Sequence, residues 1–235
     1  MLSARSLALR NALAVSALLI AALPGQAQTG TWSQATGGTY TWSNTANWTG
    51  GVIADGANNT ANFTTANLTG PITVNLDTNR TIGALVFDNP TNTFSWTIGG
   101  ASILTLSNSA AGGPTIAVNA SDLVSTISTT VAGTQGFTKT GSGILNLTGN
   151  NTVTGGINVA AGTLNAYKSA TANPLGTNAI TLSGGTLRLG IANSTPIAAT
   201  GYNQDVIAAV SEFGAGAPFG TTVAVDNAST ATPPA

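Results

Sequence analysis

Cysteine and histidine are both missing from the 235 residues. Without cysteine there is no disulfide framework and no thiol chemistry. Without histidine there is no Ser-His triad and no imidazole zinc site. Charge is scarce as well: Asp, Glu, Lys and Arg together make up 6% of the chain, against roughly 25% in ordinary soluble proteins. After residue 27 the only basic residues are Arg80, Lys139, Lys168 and Arg188. They cannot form a basic patch, which excludes nucleic acid as a partner. The missing charge has not been replaced by disorder-promoting composition. Hydrophobic residues still amount to 42%, whereas disordered segments combine low hydrophobicity with high charge. Thr, Asn, Ser and Gly fill the gap. Thr and the aliphatics favour strands, and Asn and Gly favour turns, so the composition points to folded β structure.

The segment 1–27 stands apart. MLSARSLALR carries Arg5 and Arg10, and NALAVSALLIAALPG is an apolar run shorter than the ~20 residues a membrane span needs. Gly25 and Ala27 supply the small residues of a cleavage site. Residues 1–27 therefore read as a secretory signal peptide. No transmembrane segment follows it, and the ATPPA terminus carries no recognisable anchor.

Beyond the signal the pattern is one of short alternating runs: ITVNL at 72–76, ALVF at 84–87, ILTL at 103–106, TIAV at 115–118, ILNL at 144–147, INV at 157–159, ITL at 180–182 and TLRL at 186–189. These are predicted strands, with polar or Gly-rich corners between them. Residues 202–212, YNQDVIAAVSE, come nearest to a helical period and are read as a short helix. The runs also repeat. INVAAGTL at 157–164 aligns with ITLSGGTL at 180–187, an offset of 23. GASILTLSNS at 100–109 aligns with GSGILNLTGN at 141–150, an offset of 41 that is read as two coils and also places Ile116 and Val118 on Ile157 and Val159. A column of Leu104, Val124, Leu145, Leu164 and Leu187 advances by successive offsets of 20, 21, 19 and 23. A period near 20 with about three short strands per period predicts an all-β parallel β-helix, or β-solenoid, of short coils.

Side chains alternate faces along a strand, so Leu145 and Leu147 are expected inside and Ile144 outside. One coil buries about four aliphatics, at roughly 1.5–3 kcal/mol each. Ordering some twenty residues costs more, at about 1–2 kcal/mol per residue, so the coils must stack to be stable. Gly155, Gly156, Gly162, Gly184 and Gly185 are read as corners that supply positive φ, and Thr and Asn at equivalent positions as ladders between coils.

Residues 28–68 hold Trp32, Trp42 and Trp48 and read as an N-terminal cap over the open end of the solenoid. A carbohydrate-stacking face is the competing reading. The repeats proper are assigned to 69–190. Residues 191–235, with Pro196, Pro218, Pro233 and Pro234, are assigned to a tail or an interrupted further coil.

The stretch GSGILNLTGNNTVTGGINVAAGTLNA, followed by NPLGTNAITLSGGTLRLG, resembles the autotransporter-associated β-strand repeat, or passenger-associated transport repeat. The motif falls on Gly141, Gly143, Leu145, Leu147, Gly149, Asn151 and Thr152. It continues through Thr154, Gly155 and Gly156, then Val159, Gly162, Thr163 and Leu164, and ends on Leu175, Gly176, Gly184, Gly185, Thr186 and Leu187. The family commonly has an aromatic where this chain has Val153. NW at 47–48, ANF at 61–63 and TIGALVF at 81–87 resemble, more loosely, the start of exported proteins that carry these repeats. The resemblance implies a right-handed β-helix outside the cytoplasm, on the outer-membrane or extracellular side of a Gram-negative-type cell. It also implies a role as stalk, passenger, adhesin-like or matrix protein, with outer-membrane export machinery or cell-surface glycans as partners. Barrel-bearing members finish in a membrane β-barrel. The stretch after residue 190 is too short for one, so a truncated, released or separately exported member is expected.

Because β-helices often act on polysaccharides, a lyase, a glycoside hydrolase or a carbohydrate-binding module is the alternative. Glycoside hydrolysis wants two carboxylates roughly 5–9.5 Å apart. The acids are Asp55, Asp77, Asp88, Asp122, Asp205, Glu212 and Asp226, and no two are one strand alternation apart. Asp77 with Arg80 is the one candidate pair, read as a salt bridge or solvated corner. ADGANNTAN at 54–62 has oxygen ligands but lacks the spacing of an EF-hand and is read as an Asn/Gly turn. The expectation is a non-enzymatic protein with no catalytic, cofactor-binding or metal site and no cofactor.

Overall fold

A computed structural model describes residues 28–64, 67–89, 94–168, 172–176, 178–191, 206–208 and 222–226. The expected signal peptide, 1–27, lies outside the described residues, as does most of the assigned tail. The strands are β1 (Gly30–Thr31), β2 (Gly38–Thr41), β3 (Gly56–Phe63), β4 (Ile72–Asn75), β5 (Arg80–Phe87), β6 (Trp96–Gly99), β7 (Ile103–Leu106), β8 (Thr115–Val118), β9 (Val124–Ile127) and β10 (Thr130–Gly133). They continue as β11 (Phe137–Thr140), β12 (Ile144–Leu147), β13 (Thr152–Val153), β14 (Ile157–Val159), β15 (Thr163–Lys168), β16 (Ile180–Leu182), β17 (Thr186–Ile191), β18 (Val206–Ala208) and β19 (Thr222–Asp226). Two single 3₁₀ turns, Thr45–Asn47 and Thr49–Gly51, complete the described secondary structure.

The chain is an all-β parallel solenoid. Each strand pairs in parallel with one a coil earlier or later, along three flanks. One flank runs β2-β4-β6-β9-β12-β15-β17-β19. A second runs β3-β5-β8-β11-β14-β16-β18, and a third runs β5-β7-β10-β13. β5 serves two flanks: Arg80–Ile82 pairs with β7, and Ala84–Phe87 pairs with β8. The bend falls at Gly83, where a Cβ would meet the Cα of Asn58 at 2.7 Å. The core lies between the flanks. Alternation places Leu145 and Leu147 at 0% exposure and leaves Ile144 and Asn146 partly exposed, as the sequence predicts for ILNL.

Registers confirm some of the sequence alignments and correct others. Ile157 faces Ile180 and Leu164 faces Leu187, so the offset of 23 is one coil. Leu145 faces Leu164, also as expected. Val124, however, faces Ile144, and Ser125 faces Leu145. Leu104 lies on another flank altogether, paired with Val131. The offset of 41 is therefore no stack of two coils. Ile116 faces Lys139, which faces Val159, so the two-coil offset there is 43. A shift of two residues keeps every side chain on its own face, and alternation alone cannot detect it.

The period near 20 belongs to the middle of the rod. Along the first flank the rungs Gly38, Ile72, Trp96 and Ser125 follow one another at offsets of 34, 24 and 29. Ser125, Leu145, Leu164 and Leu187 follow at offsets of 20, 19 and 23. The segment 54–62, read as a turn, contains most of β3. Asn58 adopts φ 69° at an irregularity between Gly56 and Thr60, so its turn-like composition marks a kink inside a strand. The helix expected at 202–212 is also not found: its described part, β18, is a strand paired with β16. β18 and β19 extend the stack beyond residue 190.

The glycine corners work differently from expectation. Of the five named, only Gly162 has a left-handed φ, +63°. Gly155, Gly184 and Gly185 are required by close approach instead. A Cβ on Gly184 would sit 2.6 Å from the carbonyl O of Ala160, one on Gly185 would sit 2.5 Å from Val159 Cγ1, and one on Gly155 would collide with the Gln135 backbone. Gly156 is exposed, and the nearest neighbour of a Cβ there would be 3.6 Å away.

Candidate functional site

The tryptophans, read either as a cap or as a sugar face, lie inside the protein. Trp32, Trp42 and Trp48 are at most 2% exposed, and Trp96 is fully buried. They pack with Phe63 at the N-terminal end of the core, with ring centroids 5.1–5.8 Å apart. Trp42 Nε1 donates to Ala54 O at 3.0 Å, and Trp48 Nε1 donates to Trp42 O at 2.7 Å. Rings with both faces inside the protein offer nothing for a sugar to stack on. The cluster fills the core of the first coils.

The acidic residues assemble one network. Arg80 Nη1 pairs with Asp55 Oδ2 at 2.6 Å, and Nη2 donates to Ser43 Oγ. Ser43 Oγ donates in turn to Asp77 Oδ1 at 2.9 Å, and Ser43 N donates to the same oxygen at 3.1 Å. Arg80 thus takes Asp55 as its ionic partner where the sequence pairs it with Asp77, because the bulged β3 brings the Asp55 loop alongside β5. Asp55 Oδ1 is occupied by Gly56 N at 2.9 Å. Asp55 accepts from Arg80 and Gly56, and Asp77 accepts twice from Ser43, which suits a fastener between successive parts of the fold. Asp88 and Asp122 lie elsewhere, Asp122 exposed ahead of β9. Among the described residues no three of His, Cys, Asp and Glu come together to hold a metal ion. No described helix is long and apolar enough to cross a membrane.

The repeat-motif residues gather in the stretch where coils are regular. Leu145, Leu147, Val159, Leu164 and Leu187 are buried in the core, and Thr163 stacks on Thr186 in register. Gly141 has φ +73°, and a Cβ there would strike Val118 O; at Gly143 one would lie 2.5 Å from Ala120 O. Asn151, 5% exposed, joins three coils. Its Oδ1 accepts from Val131 N at 2.8 Å, and its Nδ2 donates to Pro174 O at 2.6 Å. Val153, where an aromatic is common, is buried at 2% exposure. The expected ladders are present too: Asn165 Nδ2 donates to Asn146 Oδ1 at 2.8 Å, and Asn146 Nδ2 donates to Thr126 Oγ1 at 3.4 Å.

One charged group escapes the sequence reading. Lys139 points inward from β11 and is fully buried. Its Nζ donates to the carbonyl oxygens of Thr140 at 2.7 Å, Gly141 at 2.9 Å and Ala161 at 3.1 Å. Burial pushes its pKa down from 10.5 to about 8. The available signal is parity: Lys139 is two residues from Phe137, and both face the core.

Residues 137–166 match the sequence pattern of the Passenger-associated-transport-repeat family. The match opens on β11, with Lys139, and closes within β15. No curated protein and no solved structure matches the chain.

Proposed function

From a chain that carries a passenger-associated transport repeat at 137–166, we propose a non-enzymatic β-helical passenger or stalk, secreted or held at the cell surface. Its work is to extend and present a neutral rod whose folding outside the inner membrane assists outer-membrane export, adhesion or matrix structure. One observation carries the reading: the matched segment coincides with the short, regular coils in the middle of the rod, which supports the transport-associated repeat as the unit that builds it. The outer face supports it. It is lined by Thr and Asn, and the tryptophans that would serve a glycan site are buried in the core. Export machinery, and a surface glycan reached through the polar ladders, are the partners this role requires.

The test is made in the native cell. Antibody labelling of intact cells, with and without external protease, should find the chain outside. Deleting residues 137–166 should lower the exported amount while leaving synthesis unchanged. Retention of the intact chain in the cytoplasm would reject the proposal. So would turnover of polyuronides or neutral glycans by the purified protein.

A further inference from the structure

Between Ala110 and Ala166 the chain has two charged residues, Asp122 and Lys139. Asp122 is exposed in the loop ahead of β9. The strands paired with β11, TIAV of β8 and INV of β14, carry no titratable group, and neither do β9, β10 and β12 around the same core. The ammonium of Lys139 therefore sits inside the solenoid with no counter-ion among the described residues, compensated by peptide dipoles. Two of its three carbonyls, on Thr140 and Gly141, come from its own corner; the third, on Ala161, belongs to the corner of the next coil. Left-handed φ angles at Gly141 (+73°) and Gly162 (+63°) shape the two corners. The backbone is tied at the same place, with Ala160 N donating to Lys139 O at 2.9 Å.

We propose that Lys139 is a register pin, a buried cation whose three acceptors meet only when β11 and β14 stack in the native alignment. The apolar pattern does not settle that alignment. Sliding β14 by two residues would put Ile157 where Val159 now faces Lys139, with every aliphatic still inside. The same slip carries Ala161 about 6–7 Å along the strand and puts Ala160 where Gly162 now holds its left-handed φ, so the corner that aims the third carbonyl is lost and a buried charge is left short of an acceptor. A buried polar group that costs stability but selects one register is an attested use of such groups.

The experiment uses the full chain and Lys139→Met, which keeps an unbranched side chain of similar length. Each protein is refolded from denaturant, and amide exchange across 137–166 is followed by mass spectrometry at pH 7. Lys139→Met should regain its sheet signature and a denaturation midpoint no lower than the parent's at pH 7, yet show two exchanging populations over β11 and β14. The parent should show one population after refolding at pH 7. It should show two after refolding at pH 10 and return to pH 7, because a neutral amine penalises the slipped register less. A single population in Lys139→Met with the parent's protection overturns the proposal. So does failure of that variant to fold, since the pin presupposes that the apolar pattern suffices to build the coils. In the parent, a population independent of refolding pH overturns it equally.

Discussion

Two glycines of the repeat separate the effects that its motif merges. At Gly162 a side chain would meet both a left-handed backbone and the Gly141 carbonyl 2.5 Å away. Gly162→Ala is therefore expected to cost about 2–3 kcal/mol in denaturant unfolding. Gly156 has open space around it, so Gly156→Ala should stay within about 0.5 kcal/mol of the parent. Ser125 offers the opposite sign. It fills a core position between Trp96 and Leu145, and its hydroxyl has no partner. Ser125→Ala should raise stability by about 1 kcal/mol in the same assay. The inward pair Leu145 and Leu147 is legible because alternation fixes facing once a strand is found. Ser125 and Lys139 are not legible, because a polar residue in a short run is assigned outward by default. Their burial follows from neighbours' parity, given by Phe137 for Lys139 and by Leu123 and Ile127 for Ser125.

Strands rich in aliphatics are legible in the sequence almost to the residue, as β7, β8 and β12 show. GANNTANF is not, since its Asn and Gly favour turns locally and tertiary pairing with β5 overrides them. Coil register is legible where the repeat is a gapless copy, as for β14 with β16. It is lost where coils differ in length, because alternation tolerates even shifts and the column at Leu104 crosses to another flank. Between elements, side chains replace missing ladder bonds. Asn151 supplies an acceptor to Val131 N one residue before the β10–β13 pairing begins. Asn151→Leu should leave that amide buried and unpaired, at a cost of about 2–3 kcal/mol in chemical denaturation. Arg80 fastens the N-terminal end to β5 through Asp55 and Ser43. Arg80→Met should cost about 1–2 kcal/mol, with increased amide exchange confined to 43–63.

For the molecule as a whole, the scarcity of charge governs how it responds to solution conditions. Screening has little to act on, so the urea midpoint should barely move between about 0.05 and 0.5 M NaCl. Alkali should act in an unusual direction. Lys139 loses its proton near pH 8 when folded but near 10.5 when unfolded. Between those values the unfolded chain holds more protons, so stability rises as pH increases. The midpoint is expected to climb from pH 7.5 to 10 in the parent and to stay flat in Lys139→Met, which has no proton there to lose.

Uneven coils also set how far the protein reaches. Each strand on the first flank lifts the chain by the same inter-strand spacing, about 4.8 Å. The lift is the same for the short coil from Leu145 to Leu164 and for the long one from Gly38 to Ile72. Seven such steps span about 34 Å from β2 to β19. Residues inserted at a corner widen the rod without lengthening it, while each added copy of the short repeat converts about twenty residues into a full step of height. Distance from a surface is therefore gained in whole repeats, and the matched segment is the part of the chain that gains it with the fewest residues.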